Sequence, residues 1–205
     1  MKEQQARQTS LWDLREAHYD VLKSLDQDGL GLCWAFSSTK AVMYTRAIMN
    51  ATPERLSAWY VAGRVKHWQD QGGWGAESLT QIASNGVPTE ALCPSYKSSY
   101  DTAAVAADAA TRKVIEWYDG TEDKDQNRRI MISAFLLGLC PVLDFNWLSH
   151  SMAGCVLKSI NPLEVWTDNS WNDISQYGPK GCYKLTGSKA IPDSVVVPRV
   201  SQPGT

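Results

Sequence analysis

No stretch of this chain approaches the ~18 uninterrupted apolar residues that a membrane-spanning helix needs. The N-terminus, Met1-Lys2-Glu3-Gln4-Gln5-Ala6-Arg7-Gln8, is polar and lacks the apolar stretch of a secretory signal. Neither sign of charge dominates: the net charge is −2 and the pI about 5.9, which leaves no electrostatic case for nucleic acid or an anionic membrane. No CxxC pair occurs. The five cysteines (Cys33, Cys93, Cys140, Cys155, Cys182) are scattered and odd in number, against both a disulfide framework and a zinc site. The expectation is four buried free thiols, one special cysteine, and a reducing compartment such as the cytoplasm. There are no repeats and no low-complexity tracts. Histidine is scarce at three residues, and phenylalanine, also three, is outnumbered by nine Trp and eight Tyr, rings that line clefts as well as fill cores.

What is present suits an ordinary globular chain: 205 residues with 43% hydrophobic and 20% charged. That length fits one substantial domain over residues 1–205, or two halves sharing a cleft. Apolar spacing predicts a helix from about Leu32 to Asn50, with Phe36, Thr39, Met43 and Ala47 on one face. Thr52-Pro53-Glu54 reads as a second helix start leading through Leu56, Trp59, Tyr60 and Val65. Gln71-Gly72-Gly73-Trp74-Gly75 is a loop, and a short helix follows, stopped by Asn85-Gly86. From Arg112 onward strands dominate: Val114 to Tyr118, Pro141 to Phe145, Met152 to Leu157, Leu163 to Thr167 and Tyr183 to Leu185, with one helix over Ile130 to Leu137. The expected class is α+β, with a helical lobe over about 12–110, a β-rich lobe over about 111–190 and a cleft between them. The segment 191–205 reads as an extended, peripheral tail, as able to dock on an assembly partner as to lie on its own domain.

Within this frame Cys33 stands out. It opens a predicted helix just after Gly29 and Gly31, where unsatisfied backbone N–H groups and the helix dipole favour a thiolate. Cysteine catalysis also needs a base and a group to orient it. His18 and His67 fall in surface-like segments. His150, in Leu148-Ser149-His150-Ser151-Met152, enters an apolar strand after a bend, where a ring can be held at a cleft edge. The next segment ends in Asp168-Asn169-Ser170-Trp171. There an Asn oxygen can accept from one imidazole nitrogen, and a tryptophan can keep water off that bond.

Gln27, then Cys33-Trp34-Ala35-Phe36-Ser37, then His150, then Asn169-Ser170-Trp171 resembles the papain-like cysteine peptidases in residue type and chain order. His150 and Asn169 follow Cys33 by 117 and 136 residues. The family's local signature expects about 130–150. Leu56-Ser57 resembles the start of the family's next helix. Gly72-Gly73-Trp74 resembles the glycine pair whose backbone meets an extended substrate, and Tyr183 the strand after the asparagine motif. The resemblance spans roughly Trp12 to Leu185.

It implies a papain-like fold and thiol-dependent hydrolysis of peptide bonds in a peptide or protein substrate, with no metal and no cofactor. Cys33 is the implied nucleophile, His150 the base, Asn169 its orienting group and Trp171 its cover. Gln27 and the Cys33 N–H become the oxyanion donors, and Gly72, Gly73 and Trp74 join Trp171 in binding substrate. A turn requiring positive φ is the competing reading of Gly72 and Gly73. Three departures stand out. Leu30 and Asp70 occupy the places of a usual disulfide pair. Asn146-Trp147-Leu148-Ser149 replaces a longer excursion, which implies a truncated or rebuilt side of the cleft. Asn172 stands where glycine is usual after the tryptophan. No pro-segment is evident before the family-like region. An inactive papain-like domain serving as a binding or structural module, for example in a virion or cell-surface complex, is the competing function. A cell-wall amidase is a third, disfavoured because Asn169-Ser170-Trp171 resembles the papain branch.

Overall fold

A computed structural model describes residues 11–94, 96, 98–120, 123–171 and 179–200. Two short helices, α1 (Leu11–Ala17) and α2 (Tyr19–Leu22), lead to the long helix α3 (Cys33–Ile48). Then come α4 (Ala58–Lys66), α5 (Gly75–Asn85) and α6 (Ala103–Ala110), the strand β1 (Val114–Asp119) and helix α7 (Lys124–Leu136). The remaining strands are β2 (Val142–Phe145), β3 (His150–Ile160), β4 (Leu163–Asp168), β5 (Cys182–Thr186) and β6 (Ser194–Val200). All six strands form one antiparallel sheet in the order β1-β6-β2-β3-β4-β5. The fold is α+β, with most helices preceding the strands of one antiparallel sheet, as the sequence implied.

Helix α3 is buried on nearly every side rather than along one stripe. A helix flanked by other helices and a sheet has no solvent face to keep polar. Phe36, Val42, Met43 and Tyr44 join the core formed with Val142, Met152, Val165 and Val196 from the sheet. Even Lys40 is drawn inside: its ammonium donates to the carbonyls of Leu22 and Lys23 at 2.5 and 2.6 Å, which satisfies it without water.

Two expectations need correction. The second helix does not start at Thr52. It starts after Ser57, whose side chain accepts from the Tyr60 N–H, while Leu56 is held in a β-bridge with Thr89. A serine cap with a real partner outweighs a proline signal four residues earlier. The segment after Ile191 is extended but not a peripheral tail: Ser194–Val200 is β6, lying between β1 and β2 in the sheet. Burial of Val195, Val196 and Val197 on both faces explains why an uninterrupted valine run is a central strand. Helix α6, capped by the Thr102 side chain, had no counterpart in the sequence reading because its alanine-rich face carries no clear apolar period.

Candidate active site

The site assembles where the start of α3 meets the ends of β3 and β4. Cys33 is the first residue of α3, and Leu32 before it supplies no side-chain cap to the first turn. The thiol is half-buried, whereas Cys93, Cys140, Cys155 and Cys182 are all buried and all five are free. Burial pushes the Cys33 thiol above its ordinary value, and Asp144 adds to the rise. The backbone amide of Ser151 on β3 pulls it down, as do those of Trp34 and Cys33 at the helix end, the effect expected from the sequence, but they do not prevail.

His150 is the first residue of β3. Ser149 before it adopts the left-handed conformation (φ 50°), and this bend turns the chain from the short 3₁₀ turn over Asn146–Leu148 into the strand. Asn169 directly follows β4, antiparallel to β3, so the sheet register brings the two side chains together. His150 Nε2 lies 2.7 Å from Asn169 Oδ1. An amide oxygen only accepts, so Nε2 carries the hydrogen and Nδ1 is left with its lone pair for another partner. Trp171 stacks on the His150 ring at 4.8 Å between centroids and 29° between planes. Burial lowers the pKa of His150, and the Asn169 bond opposes that shift. Both shifts, a raised thiol and a lowered imidazole in one cleft, run toward the uncharged forms.

Gln27 is nearly buried and doubly held. Its Nε2 donates to the Leu30 carbonyl at 2.5 Å, and its Oε1 accepts from the Ser170 hydroxyl at 2.5 Å. The Gln27 N–H donates to the Ser170 carbonyl at 3.0 Å, and Asp26 bridges Trp171. The Gln27 loop is therefore fastened to the segment that carries Asn169 and Trp171. The second amide hydrogen on Nε2 stays free of the Leu30 contact.

A cleft of about 280 Å³ unites Gln27, Cys33 and His150 with Gly72, Gly73 and Trp74. Among the predicted site residues, Asn169 and Trp171 stand behind His150 rather than in the cleft wall. Neither Gly72 nor Gly73 has positive φ, so the turn argument for them fails. Gly73 is constrained sterically instead: a Cβ there would come 2.7 Å from the Trp34 ring and 2.8 Å from the Glu77 carboxylate. Gly72 faces open space. Trp74 is 63% exposed at the rim. The Asp70 carboxylate accepts from the Gly31 N–H at 2.7 Å. A hydrogen bond thus joins the Gln27 loop to the glycine loop near the places where the resemblance implied a disulfide. The short Asn146–Ser149 segment leaves Trp147 exposed, with Lys189 over its ring at 4.9 Å. Asn172 lies outside the described residues. Sequence reasoning passed over Asp144 and Ser151, both in the cleft wall. Their only signal was the period-two alternation that puts Val142 and Asp144 on one face of β2.

The papain family cysteine protease profile matches residues 9–142. The chain belongs to the papain family of cysteine proteases. That match contains Gln27, Cys33 and the glycine loop and ends before His150 and Asn169. Solved structures share the fold. Bromelain of Ananas comosus, in complex with the E64 inhibitor, aligns with 90% of this chain and 97% of its own at TM-score 0.69 and 18% identity. Xylellain, a cysteine protease of Xylella fastidiosa, aligns with 87% of this chain and 83% of its own at TM-score 0.68 and 14% identity. Digestive procathepsin L 3 of Tenebrio molitor aligns with 87% of this chain at TM-score 0.68 and 17% identity, and this chain spans 66% of its length. No curated relative matches the sequence.

Proposed function

We propose that the protein is a thiol peptidase that cleaves peptide bonds through Cys33, His150 and Asn169, with Gln27 assisting at the oxyanion. The observation that carries this reading is the 2.7 Å contact between His150 Nε2 and Asn169 Oδ1, roofed by Trp171, in a protein whose helix-opening cysteine shares a cleft with that histidine. A merely structural histidine has no need of an orienting amide, an aromatic cover and a thiol in the same cleft.

In this reading the Cys33 thiol gives its proton to His150 Nδ1 as sulfur attacks the scissile carbonyl carbon. A C–S bond forms and the carbonyl π pair moves onto oxygen. Gln27 Nε2 and the Cys33 N–H donate to that oxyanion, in a cleft where partial dehydration strengthens both bonds. The C–N bond then breaks, and the amine leaves with the proton from His150. Water, deprotonated by the same nitrogen, attacks the thioester, releasing the acid and restoring the thiol. Asn169 keeps the imidazole in the tautomer that makes each transfer possible. The backbones of Gly72 and Gly73 supply an extended substrate with pairing groups, Trp74 flanks it at the rim, and Trp171 acts from behind the imidazole.

The test is alkylation of the full chain with a substoichiometric thiol reagent, followed by peptide mapping, alongside hydrolysis of a fluorogenic peptide. Cys33 is expected to react before the other four cysteines, and Cys33→Ala to abolish turnover. Equal reactivity of Cys33 and the buried thiols, with no turnover, overturns the reading.

A further inference from the structure

Asp144 is a carboxyl group facing the nucleophile without a cation. It lies on β2, two residues after Val142, and so faces the same side of the sheet. That side looks toward the helices: a Cβ on Gly75 would meet Val142 at 3.2 Å. At Asp144 the core gives way to the cleft, whose wall it shares with Cys33, Gly73 and Trp74. Its cross-strand partners are Ser151 on β3 and Ser194 on β6. Both hydroxyls support its anion but carry no charge. The Ser151 hydroxyl is itself 2.7 Å from that of Ser37 on α3. Among the described residues no Lys or Arg forms a salt bridge with Asp144. The other charges acting on it, Asp119 and Asp193, are acidic. Asp193 is taken up by Lys124 at 2.6 Å and by the Asn146 N–H at 2.8 Å.

A buried carboxylate is costly unless something positive meets it. The buried Asp168 has Arg15 and Lys40, and the half-buried Glu54, Glu77 and Asp193 have Arg112, Lys66 and Lys124. Asp144 has an opening to the substrate cleft instead. A lysine or arginine side chain entering there supplies the missing charge in a setting of low dielectric, where the pairing is stronger than in water.

Resting on the peptidase reading above, we propose that Asp144 is a specificity-determining residue that selects peptides carrying Lys or Arg within about two residues of the scissile bond, the reach of an extended chain across a cleft of this size. The same pairing would act on the chemistry. Asp144 disfavours ionisation of Cys33 by its charge, and a bound cation offsets that charge, so a basic substrate eases thiolate formation where a neutral one does not.

The experiment measures kcat/KM for a positional peptide library and, separately, the rate at which peptidyl chloromethyl ketones bearing Arg, Leu or Glu alkylate Cys33. At one position Arg and Lys are expected to exceed Leu and Glu by about tenfold or more. Asp144→Asn, nearly the same in shape, should collapse that ratio, and Asp144→Lys should turn it toward Glu, with a thermal melt showing that each variant is folded. If Cys33 reacts readily but the Arg preference is absent, or persists in Asp144→Asn, this proposal is overturned and the peptidase reading stands. If no peptidyl reagent labels Cys33 faster than a simple alkylating agent does, the peptidase reading falls and takes the proposal with it.

Discussion

Arg15 and Asp168, 153 residues apart in sequence, meet in the protein interior with Arg15 Nε 3.2 Å from Asp168 Oδ2. Asp168 immediately precedes Asn169, so the first helix is tied to the residue bonded to the His150 ring. The carboxylate also accepts from the Tyr44 hydroxyl at 2.9 Å and the Ser24 hydroxyl at 2.8 Å, with Lys40 at 3.5 Å. Asp168 holds the guanidinium of Arg15 well above its ordinary value against the cost of burial, whereas Lys40 is lowered by burial. Asp168→Asn leaves Lys40 without its anion and Arg15 with Glu16, and should cost about 3–5 kcal/mol of stability. Urea denaturation followed by fluorescence measures it, and a change under about 1 kcal/mol would show that the cluster matters little.

The hydrogen bond from Gly31 N–H to Asp70 joins the loops carrying Gln27 and Gly72-Gly73. Asp70→Ala should lower stability by only about 1 kcal/mol. It should lower kcat as well, because the loop carrying Gln27 loses a tether. An unchanged kcat, measured at saturating peptide, counts against that tether.

Gln27 is held at both ends of its amide by Leu30 and Ser170. If its remaining hydrogen meets the oxyanion, Gln27→Ala should reduce kcat by about 10²–10³. The effect on KM should be small, since the interaction strengthens only in the transition state. A loss confined to KM would assign Gln27 to substrate binding instead.

The pH dependence follows from two opposite shifts. His150 is lowered from its ordinary 6.5, so protonation to the inactive thiol–imidazolium form sets in only below that pH. Cys33 is raised from its ordinary 9.0, so loss of the shared proton sets in only above that pH. The kcat/KM profile should therefore be a wide plateau, with its acid limb below 6.5 and its alkaline limb above 9.0. Asn169→Ala removes the bond that supports the imidazolium and should move the acid limb lower still.

Away from the site, Glu54 receives Arg112 in a two-pronged contact at 2.7 and 2.8 Å and Arg46 at 3.3 Å. Hydrogen bonding from Arg112 holds the Glu54 carboxyl below its ordinary 4.5. A carboxylate lowered on folding stabilises above its unfolded pKa, and that contribution is lost as pH falls through the folded value. Glu54→Gln should thus flatten the fall of Tm with acidification below about 4.5 and lower Tm near neutrality. Parallel Tm–pH curves for the two proteins would rule Glu54 out as an acid-sensitive contact.

Sequence alone displayed the family and the candidate site residues. A cysteine after two glycines at a helix start, one histidine entering a strand and one Asn-Ser-Trp segment are local patterns, and local patterns survive without knowledge of packing. The strands β2 to β5 were legible for the same reason, since alternation and flanking turns are short-range. Tertiary structure decided what depends on neighbours distant in sequence. The valine run of β6 reads as an extended peripheral arm until β1 and β2 take its two edges. Helix α3 reads as amphipathic until the sheet covers its second face. Asp144 reads as a polar residue in a strand until the register places serines beside it and the cleft before it. The directions in which the pKa values of Cys33 and His150 shift belong with these, because burial, which no local pattern states, is the largest influence on each.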